Sequence, residues 1–86
     1  MRILLVEDDR EAARYIVKGL GEAGHTCDHA CDGETGLDMA MQEPRYDVAV
    51  VDRMLPGLDG LRLVARLRDC ENMTPVLILS ALGEVD

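Results

Sequence analysis

Three short apolar runs punctuate the chain: Ile3-Leu4-Leu5-Val6, Val48-Ala49-Val50-Val51 and Val76-Leu77-Ile78-Leu79. Each is rich in branched residues, continuous rather than alternating, and bounded by polar or turn residues, which predicts strands buried on both faces of a parallel sheet. A fourth segment, Thr26 to Cys31, sets Cys27, His29 and Cys31 against Thr26, Asp28 and Ala30. That alternation predicts a strand with polar company at an edge of the sheet.

Between these runs the period changes to that of a helix. Ala13, Ile16, Val17 and Leu20 recur at helical spacing after Asp8 with Glu11, or Asp9 alone, as the start signal, and Gly21 and Gly24 are expected to end this first helix. A second helix starts near Asp32, shows Leu37, Ala40 and Met41 on one face, and must stop before Pro44, whose ring removes a donor. A third takes Asp59 as N-cap and carries Leu61, Leu63, Val64, Ala65 and Leu67 toward a sheet. Asn72 to Pro75 then returns the chain to the last apolar run. Alternating strands and helices of these lengths imply an α/β fold, an open parallel sheet wound on both faces by right-handed crossovers.

With 86 residues the chain is expected to form one small domain. Its 48% hydrophobic and 30% charged residues place it among globular sequences rather than disordered ones. Nine Lys+Arg against 17 Asp+Glu leave a net charge of -8, which argues against binding nucleic acid or an anionic membrane and favours cations and basic partners. Cys27, Cys31 and Cys70 make no disulfide framework, and no apolar stretch is long enough for a signal peptide or a membrane span, so a cytoplasmic location is expected. Tyr15 and Tyr46 are the only aromatics, too few for stacking bases or gripping a planar cofactor.

Ligands of open parallel sheets bind at the carboxyl ends of the strands. There the sequence sets Glu7, Asp8 and Asp9 after the first strand, Asp52 at the end of the third and Ser80 at the end of the fourth. Carboxylates crowded at one sheet edge repel one another, and a divalent cation is the economical way to join them. Mg²⁺ takes one or two carboxylates plus a phosphate and keeps open positions, so Glu7, Asp8 and Asp52 are its expected ligands, with a backbone carbonyl from the loop after Asp52. An aspartate is also a competent nucleophile toward phosphorus when the charge on the transferring group is neutralised. Asp52 is the best-placed nucleophile, Ser80 can donate its hydroxyl to a phosphoryl oxygen, and Asp9 reads as a helix cap.

Leu4-Leu5-Val6-Glu7-Asp8-Asp9, Val51-Asp52-Arg53-Met54-Leu55-Pro56-Gly57-Leu58-Asp59-Gly60 and Leu77-Ile78-Leu79-Ser80-Ala81 resemble the receiver domains of bacterial two-component response regulators, and the likeness runs from end to end. The middle motif is the most specific, and its Leu-Pro-Gly-Leu-Asp-Gly form is similar to receivers that precede winged-helix DNA-binding domains. The resemblance implies a flavodoxin-like doubly wound sheet of order 2-1-3-4, with four strands and three helices in residues 1–86 and the family's fifth strand, last helices and invariant lysine missing. It implies Asp52 as phosphoacceptor, Glu7 and Asp8 as the acidic pair holding Mg²⁺, Met54 as the contributor of a backbone carbonyl to that metal, and Ser80 as the switch hydroxyl. It also implies a sensor histidine kinase as partner and transcription as the output, the chain catalysing its own phosphorylation and dephosphorylation without turning over external substrates.

Three other readings bear on the same residues. A phosphate-ester hydrolase using an aspartyl phosphate would want a second acid two residues beyond the nucleophile, where this chain has Met54. A soft-metal site would draw on Cys27, His29 and Cys31. A phosphorylation-independent interaction module would have no need of the acidic cluster. An uncovered fourth strand also leaves an edge of unpaired backbone groups, so a homodimer through that strand, or by element swapping, is expected.

Overall fold

The computed structural model describes residues 1–79. The elements run β1 (Arg2–Val6), α1 (Arg10–Glu22), β2 (Thr26–Ala30), α2 (Gly33–Ala40), β3 (Val48–Asp52), α3 (Gly60–Asp69) and β4 (Val76–Leu79). All strand pairs are parallel and the order is β2-β1-β3-β4, as the resemblance implies, with β2 at an edge.

Two-sided burial explains the continuous run of β1, where Leu4, Leu5 and Val6 are all almost wholly inaccessible, whereas β3 alternates between buried and half-buried residues and β4, outermost among the described strands, is only half-buried with Leu77 exposed. Leu4, Val6, Ala49 and Val51 face one core with Ala30, Ala40, Leu63 and Leu67, beneath α2 and α3, which pack on each other. Alternation along the pleat turns Ile3 and Leu5 to the other face, on which α1 packs with Ala13 buried. Each helix opens on an aspartate whose carboxylate accepts backbone N–H groups: Asp9 from Glu11 and Ala12, Asp32 from Thr35, and Asp59 from Arg62. Thr35's N–H holds the Asp32 carboxyl below the usual carboxylate range.

Four details depart from the sequence pattern. Gly21 lies within α1, which runs to Glu22, because Gly24 at φ 94° makes the left-handed exit. Leu61 and Ala65 face solvent, since Leu63 and Leu67, four residues apart, already occupy the groove above the sheet. In β2 the alternation is blurred: Ala30 is the buried residue while Cys27, Asp28 and His29 are half-buried, because both faces of this edge strand receive a helix. Cys31 lies just past the strand.

Two polar groups that periodicity does not register complete the core. The buried Asn72 donates from Nδ2 to the Ala40 carbonyl at 3.0 Å and accepts at Oδ1 from the Thr74 N–H and hydroxyl, tying the α3–β4 turn to the end of α2. Tyr46 donates its hydroxyl to Asp28 at 2.7 Å while the Arg2 guanidinium lies over its ring, 4.5 Å from the centroid.

The β3–α3 loop is fixed where it carries Asp52. Leu55 and Leu58 are buried, Gly57 turns at φ 74°, and the Gly60 N–H donates to the Arg53 carbonyl at 3.0 Å. A Cβ on Gly60 would sit 2.6 Å from the Asp52 carbonyl oxygen and 3.0 Å from the Arg53 Cα, both main-chain atoms with little room to give. Gly60→Ala is therefore expected to lower unfolding free energy by about 1–3 kcal/mol, the usual cost of overpacking, measured by urea denaturation.

Candidate functional site

The register of β1 on β3 places Val6 opposite Val51, so the chain leaves the two strands side by side with Glu7 and Asp8 on one and Asp52 on the other. Carboxylate oxygens of Glu7, Asp8 and Asp52 all come within 4.8 Å of one another, and among the described residues this is the one group of three such side chains close enough to share an ion. Asp8 is exposed, and Glu7 and Asp52 are half-buried. The sequence-expected acids thus converge, except Asp9, whose carboxylate caps α1 at 3.0 and 3.2 Å.

Local hydrogen bonds aim the acids. The Asp9 N–H donates to Glu7 Oε2 at 3.0 Å, and the Met54 N–H donates to Asp52 Oδ1 at 3.3 Å, a turn that folds the loop back over the β3 end. The Met54 side chain is exposed at the rim. Ser80 lies outside the described residues.

Burial pushes the Glu7 carboxyl above its ordinary value of 4.5; the Asp52 charge and hydrogen bonding with Asp8 and Asp52 add to this, and the Asp9 N–H opposes it. A raised folded-state value means that the folded protein holds a proton at Glu7 which the unfolded chain has released, so this group's favourable contribution is present below about pH 4.5 and is lost as pH rises through the raised value. Among the described residues no Lys, Arg or His forms a salt bridge with Glu7, Asp8 or Asp52; the ion pairs are Arg2–Asp28, Arg45–Glu43 and Arg62–Asp59. An all-oxygen donor set with excess negative charge, open on one side to solvent, fits a hard divalent cation with bound waters.

The soft-metal reading fails on this geometry. Cys27, His29 and Cys31 do not come within shared reach of an ion. His29 directs Nε2 to the Glu7 carbonyl at 2.7 Å, and burial followed by the Asp28 charge pushes the Cys27 thiol up, away from the thiolate a metal needs. Sequence reasoning had grouped His29 with the thiols and missed its contact with the acidic centre. The one available signal was its place one residue before the end of the strand that neighbours β1. No helix among the described residues is long and apolar enough to cross a membrane.

Comparison with known proteins agrees with this geometry. The pattern of the response regulator receiver domain matches residues 3–86. The probable transcriptional regulatory protein SilR of Salmonella typhimurium is 44% identical over 86 residues, which is 100% of this chain and 37% of SilR. The chain therefore spans little more than a third of the length of such relatives. The receiver domain of Francisella response regulator 1452 superposes with a TM-score of 0.87 at 38% identity, covering 98% of this chain and 69% of that one. The response regulator TrrA of Thermotoga maritima, solved in complex with Mg²⁺-BeF, gives 0.86 at 28% identity over 95% of this chain and 70% of TrrA. With its strand order, its acidic centre and its sequence pattern in agreement, this chain belongs to the response regulator receiver domain family.

Proposed function

We propose that this domain is a phosphoryl-accepting switch in which Asp52 takes the phosphoryl group from a phosphohistidine of a sensor kinase. The observation that carries the reading is the convergence of Glu7 and Asp8 on Asp52 at the carboxyl ends of β1 and β3. An Asp52 carboxylate oxygen attacks phosphorus, the phosphorus–nitrogen bond to the donor imidazole breaks, and the leaving nitrogen takes up a proton.

Glu7, Asp8 and Asp52, with the Met54 backbone carbonyl, would hold Mg²⁺, which when bound supplies the positive charge that this step needs. Support comes from the all-oxygen donor set and from TrrA, a relative solved with Mg²⁺-BeF. The folded loop keeps Asp52 in place through the Met54 N–H and the packing of Gly60. Ser80, next in sequence after β4, would donate its hydroxyl to a phosphoryl oxygen and report the change. The modification adds about -1.5 to -2 charges and strong acceptor oxygens at the sheet edge, enough to bias a neighbouring loop between two arrangements.

The output in this reading is regulation of transcription through a DNA-binding effector domain absent from this chain, acting in the cytoplasm; SilR is a probable transcriptional regulatory protein, and support for the kinase as partner comes from family membership. In this reading residues 1–86 belong to the receiver, whose family pattern matches residues 3–86. A homodimer through β4 is part of the same reading, because β4 is outermost among the described strands and its Leu77 is 57% exposed.

Incubation of the protein with Mg²⁺ and acetyl phosphate is expected to add one phosphoryl group by intact mass, with no addition for Asp52→Asn or in EDTA. Addition to Asp52→Asn would remove Asp52 from the role. For the dimer, light scattering after size exclusion is expected to give twice the 9.5 kDa chain mass at high concentration, and a charge placed at Leu77 should return it to monomer.

A further inference from the structure

The peptide group joining Glu7 to Asp8 is held from the neighbouring strand. The Glu7 N–H donates to the Ala30 carbonyl at 3.0 Å, just beyond the last paired residues of β1 and β2. On the other side of the same residue, the Glu7 carbonyl oxygen lies 2.7 Å from His29 Nε2. A carbonyl only accepts, so Nε2 carries the hydrogen and donates it. Register sets His29 opposite Leu5, and its ring reaches forward past the end of β1 to do this.

We propose that His29 is a positioning residue for the acidic centre, setting the separation of the Glu7 and Asp8 carboxylates. The peptide plane is rigid, so an anchored Glu7 carbonyl also fixes the direction in which the Asp8 N–H and Cα leave that residue. The next residue is fixed independently, because Asp9 caps α1 and its N–H donates to Glu7 Oε2 at 3.0 Å. Asp8 is therefore clamped between two anchors, one of which is the imidazole. Without it, the Glu7–Asp8 peptide can rotate, and mutual repulsion drives the acids apart when no cation joins them. The ring is half-buried and also lines an open groove of about 430 Å³ with Arg10, Arg14, Val17 and Lys18, so it does not fill a sealed core. Exchange of this side chain therefore tests its hydrogen bond more than its packing.

The inference rests on the acidic centre being a cation site, and the test separates the two. Mg²⁺ affinity, measured by calorimetry, is expected to weaken about three- to tenfold in His29→Phe, less than the 10–100-fold typical where the partner of a ligating side chain is lost, because this hydrogen bond falls on main chain. His29→Gln, which keeps a donor, is expected within twofold of wild type. Equal affinity in His29→Phe, or equal losses in both variants, would overturn the proposal.

Metal-free ¹H–¹⁵N spectra provide the second readout. The Asp8 amide is expected to move in His29→Phe and to return toward its wild-type position in His29→Gln; an unmoved Asp8 amide would overturn the proposal. If wild type binds no Mg²⁺, the cation reading fails while this amide comparison still decides the positioning. If His29→Phe does not fold, the wild-type imidazole decides: a protonated Nε2 that shifts when Mg²⁺ is added is expected, and a bare Nε2 with the hydrogen on Nδ1 would contradict it.

Discussion

The parallel pairing of β1 with β3, in the register that sets Val6 opposite Val51, is the constraint on which the site depends. It forces Glu7 and Asp8 out of one strand end beside Asp52 at the other, and three carboxylates come within reach of a single ion. A slip of β1 by one residue would turn Leu4 and Val6 away from α2 and α3 and would shift Glu7 and Asp8 along from Asp52. The same hydrophobic burial that makes the sheet therefore enforces an electrostatically unfavourable cluster at its edge. Such local conflict within an otherwise consistent fold is a mark of function.

The surroundings of the cluster hold it in place without neutralising it. Main-chain N–H groups of Asp9 and Met54 orient Glu7 and Asp52, and Gly60 lets α3 begin against the Asp52 carbonyl. No cationic side chain pairs with the three acids among the described residues, and the Glu7 carboxyl is raised by burial first and by its acidic neighbours next. A site built this way has a lasting demand for positive charge, which suits an exchangeable cation better than a fixed internal salt bridge.

Much of this was legible in the sequence because the signals were local. Branched apolar runs marked β1, β3 and β4, and Asp59 and Pro44 marked helix limits, since capping and ring sterics act over a few residues. The convergence of Glu7, Asp8 and Asp52 was also readable, because a parallel α/β order sends every strand's carboxyl end to one edge. What stayed hidden depends on side chains meeting across long separations. His29 reaching the Glu7 carbonyl, Asn72 closing on Ala40 and Tyr46 bonding Asp28 leave no periodic trace. Leu61 and Ala65 misled because an apolar residue at helical spacing says nothing about how wide a groove the helix covers.

The acidic centre costs stability until a cation joins it. The most direct measurement is the thermal midpoint of wild type and Glu7→Gln from pH 4 to 8, in EDTA and in Mg²⁺. In EDTA the two proteins should melt nearly together at pH 4, where Glu7 is mostly protonated in both folded and unfolded chains. Glu7→Gln should then melt progressively above wild type as pH rises through the raised Glu7 value. With Mg²⁺ at neutral pH the wild-type midpoint should rise and that of Glu7→Gln should rise less. A Glu7→Gln midpoint below wild type at neutral pH in EDTA, with no response of wild type to Mg²⁺, would contradict the account.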